Sequence, residues 1–180
     1  MTRTRRLLAA AALIATLTGC ATAAPEPPPA PEGEATAVGP LTVTAPGYWD
    51  VTDPGDGHVR VRAAGCPDAA TCPAFDLLHG SALTGLDPEV AHLGSEARCP
   101  GGDALAAGDP IILSVDDVEV AGLAATLTRF EVSCTDGAGT LIRMAAHHQW
   151  HLPESPAGPL MVTDRWAFEG LAERLATATF

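Results

Sequence analysis

The sequence predicts an α+β domain: an antiparallel β-sheet with a C-terminal helix and a short helix packed on it. Three observations carry this. Residues 124–134 and 142–152 each alternate apolar and polar side chains, the period of a half-buried strand. Between them lies Gly137-Ala138-Gly139, short enough to close a hairpin. Near the end, Phe168, Leu171, Ala172, Leu175 and Ala176 recur at helical spacing.

Taken in order, residues 41–44 read as a first short strand. Asp53-Pro54-Gly55-Asp56-Gly57 is a turn. Residues 58–63 alternate with Val59, Val61 and Ala63 inward, and residues 74–79 make another strand. Asp87 as N-cap, Pro88 as first helical residue and Gly94 as stop bracket one short helix. Residues 95–110 are Gly-rich and loop-like. In 111–121, Asp116-Asp117 splits the apolar positions into two strand pieces around a bend.

The hairpin register follows from its faces. Opposed residues of an antiparallel pair share a face. Thr128, Phe130, Val132 and Cys134 lie on one face of the first strand. Ile142, Met144, Ala146, His148, Trp150 and Leu152 lie on one face of the second. Closing Asp136 opposite Thr140 leaves a three-residue loop, with Gly139 supplying a positive φ. Val132 then faces Met144 and Phe130 faces Ala146. Pro153 ends the second strand. Asp164 is a plausible N-cap for the last helix, whose Glu169, Glu173 and Arg174 face away from its apolar stripe.

The first forty residues have a different character. Arg3, Arg5 and Arg6 precede an apolar run over 7–17, too short to span a bilayer as a stable helix. Then comes Leu17-Thr18-Gly19-Cys20. This resembles the lipobox of bacterial lipoproteins. The resemblance implies that residues 1–19 are a lipoprotein signal peptide and that the Cys20 thiol is alkylated with diacylglycerol. Cleavage would leave Cys20, carrying acyl chains such as palmitate, as the first residue. The mature chain would then be held on the extracytoplasmic face of the cell membrane. Thr4-Arg5-Arg6-Leu7-Leu8 partly matches a twin-arginine signal, and plain leader charge explains it equally well, so the export route stays open. Lys and Asn are absent throughout, a bias expected of GC-rich coding in a high-GC Gram-positive bacterium. Residues 20–40 are mostly Ala, Pro, Glu, Thr and Gly and read as a tether reaching about 50–60 Å when extended. The globular domain is expected over 41–180.

All ten basic residues are Arg. Three lie in the leader, so the mature chain sets seven Arg against 22 acidic residues, a net charge of −15. That excludes nucleic-acid binding through overall charge. An anionic membrane surface also repels such a chain, so attachment rests on the lipid.

Ala45-Pro46-Gly47-Tyr48-Trp49, Val120-Ala121-Gly122-Leu123-Ala124 and the closing stretch 171–180 resemble the PsbP-like α+β fold, an antiparallel sheet with helices on it. The resemblance covers roughly residues 41–180. It implies a binding module, because members of that fold mostly bind proteins or other ligands.

Once Cys20 is lipidated, Cys66, Cys72, Cys99 and Cys134 remain, an even number in an oxidising compartment. Three connectivities are possible. Cys66 and Cys72 flank a small loop, which favours Cys66–Cys72 and Cys99–Cys134. His147, His148 and His151 are the densest group of ligand-type residues. On a helix His147 and His151 would share a face and could hold zinc; on a strand they are about 13 Å apart along it. The strand favoured here puts His147 at the surface, diagonal to Glu131, and His148 on the apolar face near Trp150. Asp53 and Asp56 lack the alternating oxygens of a calcium loop. Asp116 and Asp117 point to opposite faces, unlike paired catalytic carboxylates. Tyr48, Trp49, Trp150 and Trp166 are the aromatic anchors. No nucleophile motif or phosphate loop occurs. The expectation is a non-catalytic cell-envelope binding or scaffold module without a cofactor, its partner an envelope protein or small ligand. The alternative is a metal or small-solute binding lipoprotein using His147, His148 and His151.

Overall fold

The computed structural model describes residues 32–65, 71–94, 98–100 and 105–180. The expected leader, Cys20 and most of the expected tether lie outside them. The described chain forms β1 (Glu34–Val38), β2 (Leu41–Ala45), β3 (Trp49–Thr52), β4 (His58–Ala63) and β5 (Ala74–His79). A 3₁₀ turn (Gly80–Leu83) follows, then β6 (Ala106–Ala107), β7 (Ile111–Val120), β8 (Leu123–Thr135), β9 (Leu141–Leu152), β10 (Leu160–Arg165) and α1 (Leu171–Ala176).

Strands β1 and β2 make a separate hairpin. The other eight form one antiparallel sheet in the order β3-β4-β5-β10-β9-β8, with β6 and β7 both paired to the outer side of β8. Central β10 is buried at all six positions, as a strand covered on both faces must be. On one face lie Val61, Phe75, Leu77, Val162, Trp150 and Leu127, covered by Leu41 and Val43 of the small hairpin and by Leu171 and Leu175 of α1. Trp49, Phe75 and Phe168 meet edge to face there, with centroids 5.2–5.3 Å apart. Thr42 and Thr179 exchange two backbone hydrogen bonds that tie the C-terminal segment to β2. On the opposite face, Val132, Cys134 and Ala145 pack with Cys99 and Trp166 in a smaller core.

The fold is therefore β-rich, not the α+β arrangement with packed helices that the sequence predicts. The only α-helix among the described residues is the six-residue α1. At the expected short helix, Asp87 Oδ1 accepts from the Glu89 N–H and the Asp87 carbonyl accepts from the Val90 N–H. That makes one turn and no more. The last helix starts late because Trp166, Ala167 and Gly170 all adopt positive φ, which a right-handed helix cannot include. Asp164 lies inside β10, and its Oδ1 accepts from the Phe168 N–H at 2.7 Å.

Three further expectations are corrected. Strand structure begins at Glu34 within the expected tether, because Val38 has the small hairpin core to enter. β7 runs through Asp116-Asp117 without a bend; its irregularity is at Leu113. The β8–β9 loop closes as predicted, with the Asp136 N–H donating to the Thr140 carbonyl and Gly139 at φ 79°. Beyond it, Thr135 faces Leu141 but Cys134 faces Arg143. The extra residue, Ile142, bulges and shifts the register by one. Val132 therefore faces Ala145 instead of Met144, and Phe130 faces His147 instead of Ala146.

Candidate functional site: a strapped sheet face

The register aligns a continuous row across the face bearing the smaller core: Thr52, Arg60, Asp76, Thr163, Gln149, Thr128 and Val115. Beside it, Arg165 pairs with His147 and His147 with Phe130. Period-two alternation delivers these polar groups to one face, where a two-layer domain would leave them to solvent. Here Asp76, Thr163, Gln149, His147 and Arg165 are buried.

What covers them is the segment after the 3₁₀ turn. Gln149 Nε2 donates to the carbonyls of Pro88 at 2.7 Å and Val90 at 3.2 Å, and its Oε1 accepts from the His92 N–H at 3.2 Å. Arg165 Nη1 donates to the Leu93 carbonyl at 3.4 Å. One amide side chain thus fastens a strap of backbone across the sheet and satisfies its own buried groups.

The strap leaves a cleft on either side. The larger, of about 440 Å³, is lined by Asp56, His58, Arg60, Asp76, His92 and Thr163 among others. Asp76 accepts from Arg60 through Nε at 2.7 Å and Nη2 at 3.0 Å and contacts His58 Nε2 at 2.9 Å. Burial opposes its ionisation, but the hydrogen bonds and charges of Arg60 and His58 outweigh that and hold its pKa below the usual carboxylate value. The smaller cleft, of about 340 Å³, lies between Pro88 and Glu89 of the strap and Ile112, Val115, Thr126, Thr128 and His151 of the sheet.

His147 is fully buried, and among the described residues neither ring nitrogen has a hydrogen-bond partner of good geometry. Burial lowers its pKa to about 4; the nearby Gln149 amide works the other way, and His148, His92 and Arg165 add like-charge repulsion. It is not the surface residue the sequence predicts. The Ile142 bulge changes its opposite neighbour, and the strap buries its face. His148 is on the other face, as expected, with its ring 6.0 Å edge-on to Trp150. Its Nδ1 is 3.4 Å from the buried Asp164 Oδ2. Burial raises the Asp164 pKa, against the lowering effect of His148 and the Phe168 N–H.

The remaining sequence candidates separate. His147 and His148 point to opposite faces, and His151 lines the smaller cleft. Among the described residues no group of three His, Cys, Asp or Glu could hold a metal ion. Cys99 and Cys134 form a disulfide with Cα atoms 5.7 Å apart. Cys72 is also disulfide-bonded; Cys66, its expected partner, lies outside the described residues. Asp53 and Asp56 each accept a backbone N–H two residues on, as turn residues do. Asp116 pairs with Arg129. Trp49, Trp150 and Trp166 are packed, while Tyr48 is exposed.

Arg60, Asp76, His58, His92 and Gln149 were not singled out from the sequence. Asp76 carried a signal, a lone acid in a stretch otherwise apolar from Ala74 to Leu78. Among the described residues, no hydrogen bond joins His58 or His148 to a Ser, Thr or Cys side chain, and none of the helices is long and apolar enough to cross a membrane. No family model matches the chain, and no curated protein matches it.

Proposed function

We propose that this chain is a non-catalytic, lipid-anchored binding module of the cell envelope, and that the strapped face is where it binds. One observation carries the reading: the strap fastened by Gln149 divides a polar sheet face into two differently lined clefts. Fixed clefts of a few hundred Å³ with a few convergent polar groups are what recognition of a ligand or peptide segment requires. The envelope address rests on the leader residues up to Cys20.

Crosslinking in intact cells tests the reading. A specific envelope component recovered with the wild-type chain should be lost when Ala82→Trp fills the larger cleft or Thr126→Trp the smaller, both in folded protein. Turnover of an ester, peptide or glycan that disappears on a single His58→Ala or His148→Ala substitution would show an enzyme instead.

A further inference from the structure

The side of β7 away from β8 has no partner among the described residues, so β7 is a ten-residue open edge. Natural edges are blunted by charge, proline or bulges. β7 carries one bulge, at Leu113, and its charges are confined to one half, Asp116, Asp117 and Glu119. The other half exposes Ile111, Ile112, Leu113 and Val115, each more than 50 % accessible. Four exposed aliphatic residues within five positions of an unpaired strand are a template for association.

The edge also adjoins a cleft. Ile112 and Val115 are simultaneously edge residues and walls of the smaller cleft, facing Pro88 and Glu89 of the strap. A strand laid along β7 would send alternate side chains onto that same face. The rim is acidic. Among the described residues no ion pair joins Glu89, Asp117 or Glu119 to a base, while Arg129 is held by Asp116.

We propose that β7 receives an extended segment of another protein by strand addition. Aliphatic side chains of the segment fill the cleft at Ile112 and Val115, and its Lys or Arg residues meet Glu89, Asp117 and Glu119. Backbone hydrogen bonds to the edge supply affinity and the cleft supplies selectivity. A second copy of this chain is disfavoured because it brings the same acids to the contact, and an anionic bilayer is disfavoured for the same reason. The proposal rests on the binding-module reading and names its partner class.

The test is selection of displayed random nine-residue peptides on the purified chain, in parallel with its Val115→Lys and Asp117→Lys variants. Both positions are exposed, and unchanged thermal melts establish that the variants fold. Enriched peptides should alternate aliphatic residues and carry Lys or Arg. A synthetic copy of the most enriched should slow amide exchange over 111–115 and weaken about tenfold or more with either variant and with added salt. Equal enrichment on Val115→Lys, or an acidic consensus, overturns the proposal. So does a concentration-dependent dimer abolished by Val115→Lys without peptide enrichment, which would make a second copy the occupant. Peptides that slow exchange around Asp76 and leave β7 unchanged also overturn it, while the binding-module reading stands.

Discussion

Gln149, toward the C-terminal end of β9, donates its side-chain amide to the Pro88 carbonyl at 2.7 Å, joining the sheet to a strap 61 residues earlier in the chain. The same side chain also serves Val90 and His92. Gln149→Leu keeps much of the volume and removes all three bonds, leaving the strap carbonyls and the His92 N–H without this partner. The expected cost is about 2–3 kcal/mol. Urea denaturation measures it, and amide exchange at His92 should quicken by more than exchange in β1 and β2.

His147 gives the fold an acid sensitivity of defined sign. Its folded pKa of about 4 lies below the ordinary 6.5. The unfolded chain therefore binds the proton first. The contribution is fully present above pH 6.5 and is lost as pH falls from there to 4, amounting to about 3 kcal/mol. Asp164 runs the other way, because its raised carboxylate pKa makes protonation favour the folded state. Comparing the wild-type chain with His147→Leu cancels the Asp164 contribution. The variant should lose less stability between pH 7 and 4.5, as read by chemical denaturation at each pH.

How far the sequence could be read depends on whether the cause was local. The two long strands and their three-residue loop are local, and alternation and Gly139 identify them. The bulge at Ile142 leaves no compositional trace, so the pairings of Val132 and Phe130 were off by one residue. The spacing of Phe168, Leu171 and Leu175 marked three buried residues correctly, and Leu171 and Leu175 are helical, but Phe168 precedes the helix because positive φ at Trp166, Ala167 and Gly170 delays its start. The candidate site was least legible. Covering Asp76 and His147 depends on the strap, whose position is set by a non-local amide contact that no period reports.

The disulfide between Cys99 and Cys134 spans 35 residues and lies in the smaller core. Chain entropy alone gives such a loop about 4 kcal/mol. Replacing both cysteines by Ala should lower stability by about that much, with the midpoint in urea moving down. Peptide mapping without reductant should return Cys99 linked to Cys134 and Cys72 linked to Cys66. A Cys72 joined to any other residue would reject the second pairing.

The proposed anchor depends on one thiol. Cys20→Ala removes the atom that would carry the diacylglycerol. The expected outcome is release of the chain from the membrane fraction into the medium, or accumulation of an unprocessed form. Intact-mass analysis of the wild-type chain should show a lipid-modified N-terminal Cys20, and an unmodified terminus beyond residue 20 would remove the anchor from the functional reading.

Between β10 and α1 the chain turns through two left-handed residues with side chains. Ala167 is exposed and sits at φ 54°, and neighbouring Trp166 sits at φ 69°. Left-handed backbone costs a residue with a Cβ roughly 1 kcal/mol or more, and glycine nothing. Glycine also has more freedom to lose on folding, which offsets part of the gain. Ala167→Gly should therefore raise stability by up to about 1 kcal/mol, although glycine substitutions usually lower it. Asp164 keeps this turn closed by accepting the buried Phe168 N–H. Asp164→Asn retains an acceptor and should be tolerated, whereas Asp164→Ala strands that N–H and should cost about 1–3 kcal/mol. Thermal melts of the three variants check the order, and a destabilised Ala167→Gly would show that relief of backbone strain does not govern this turn.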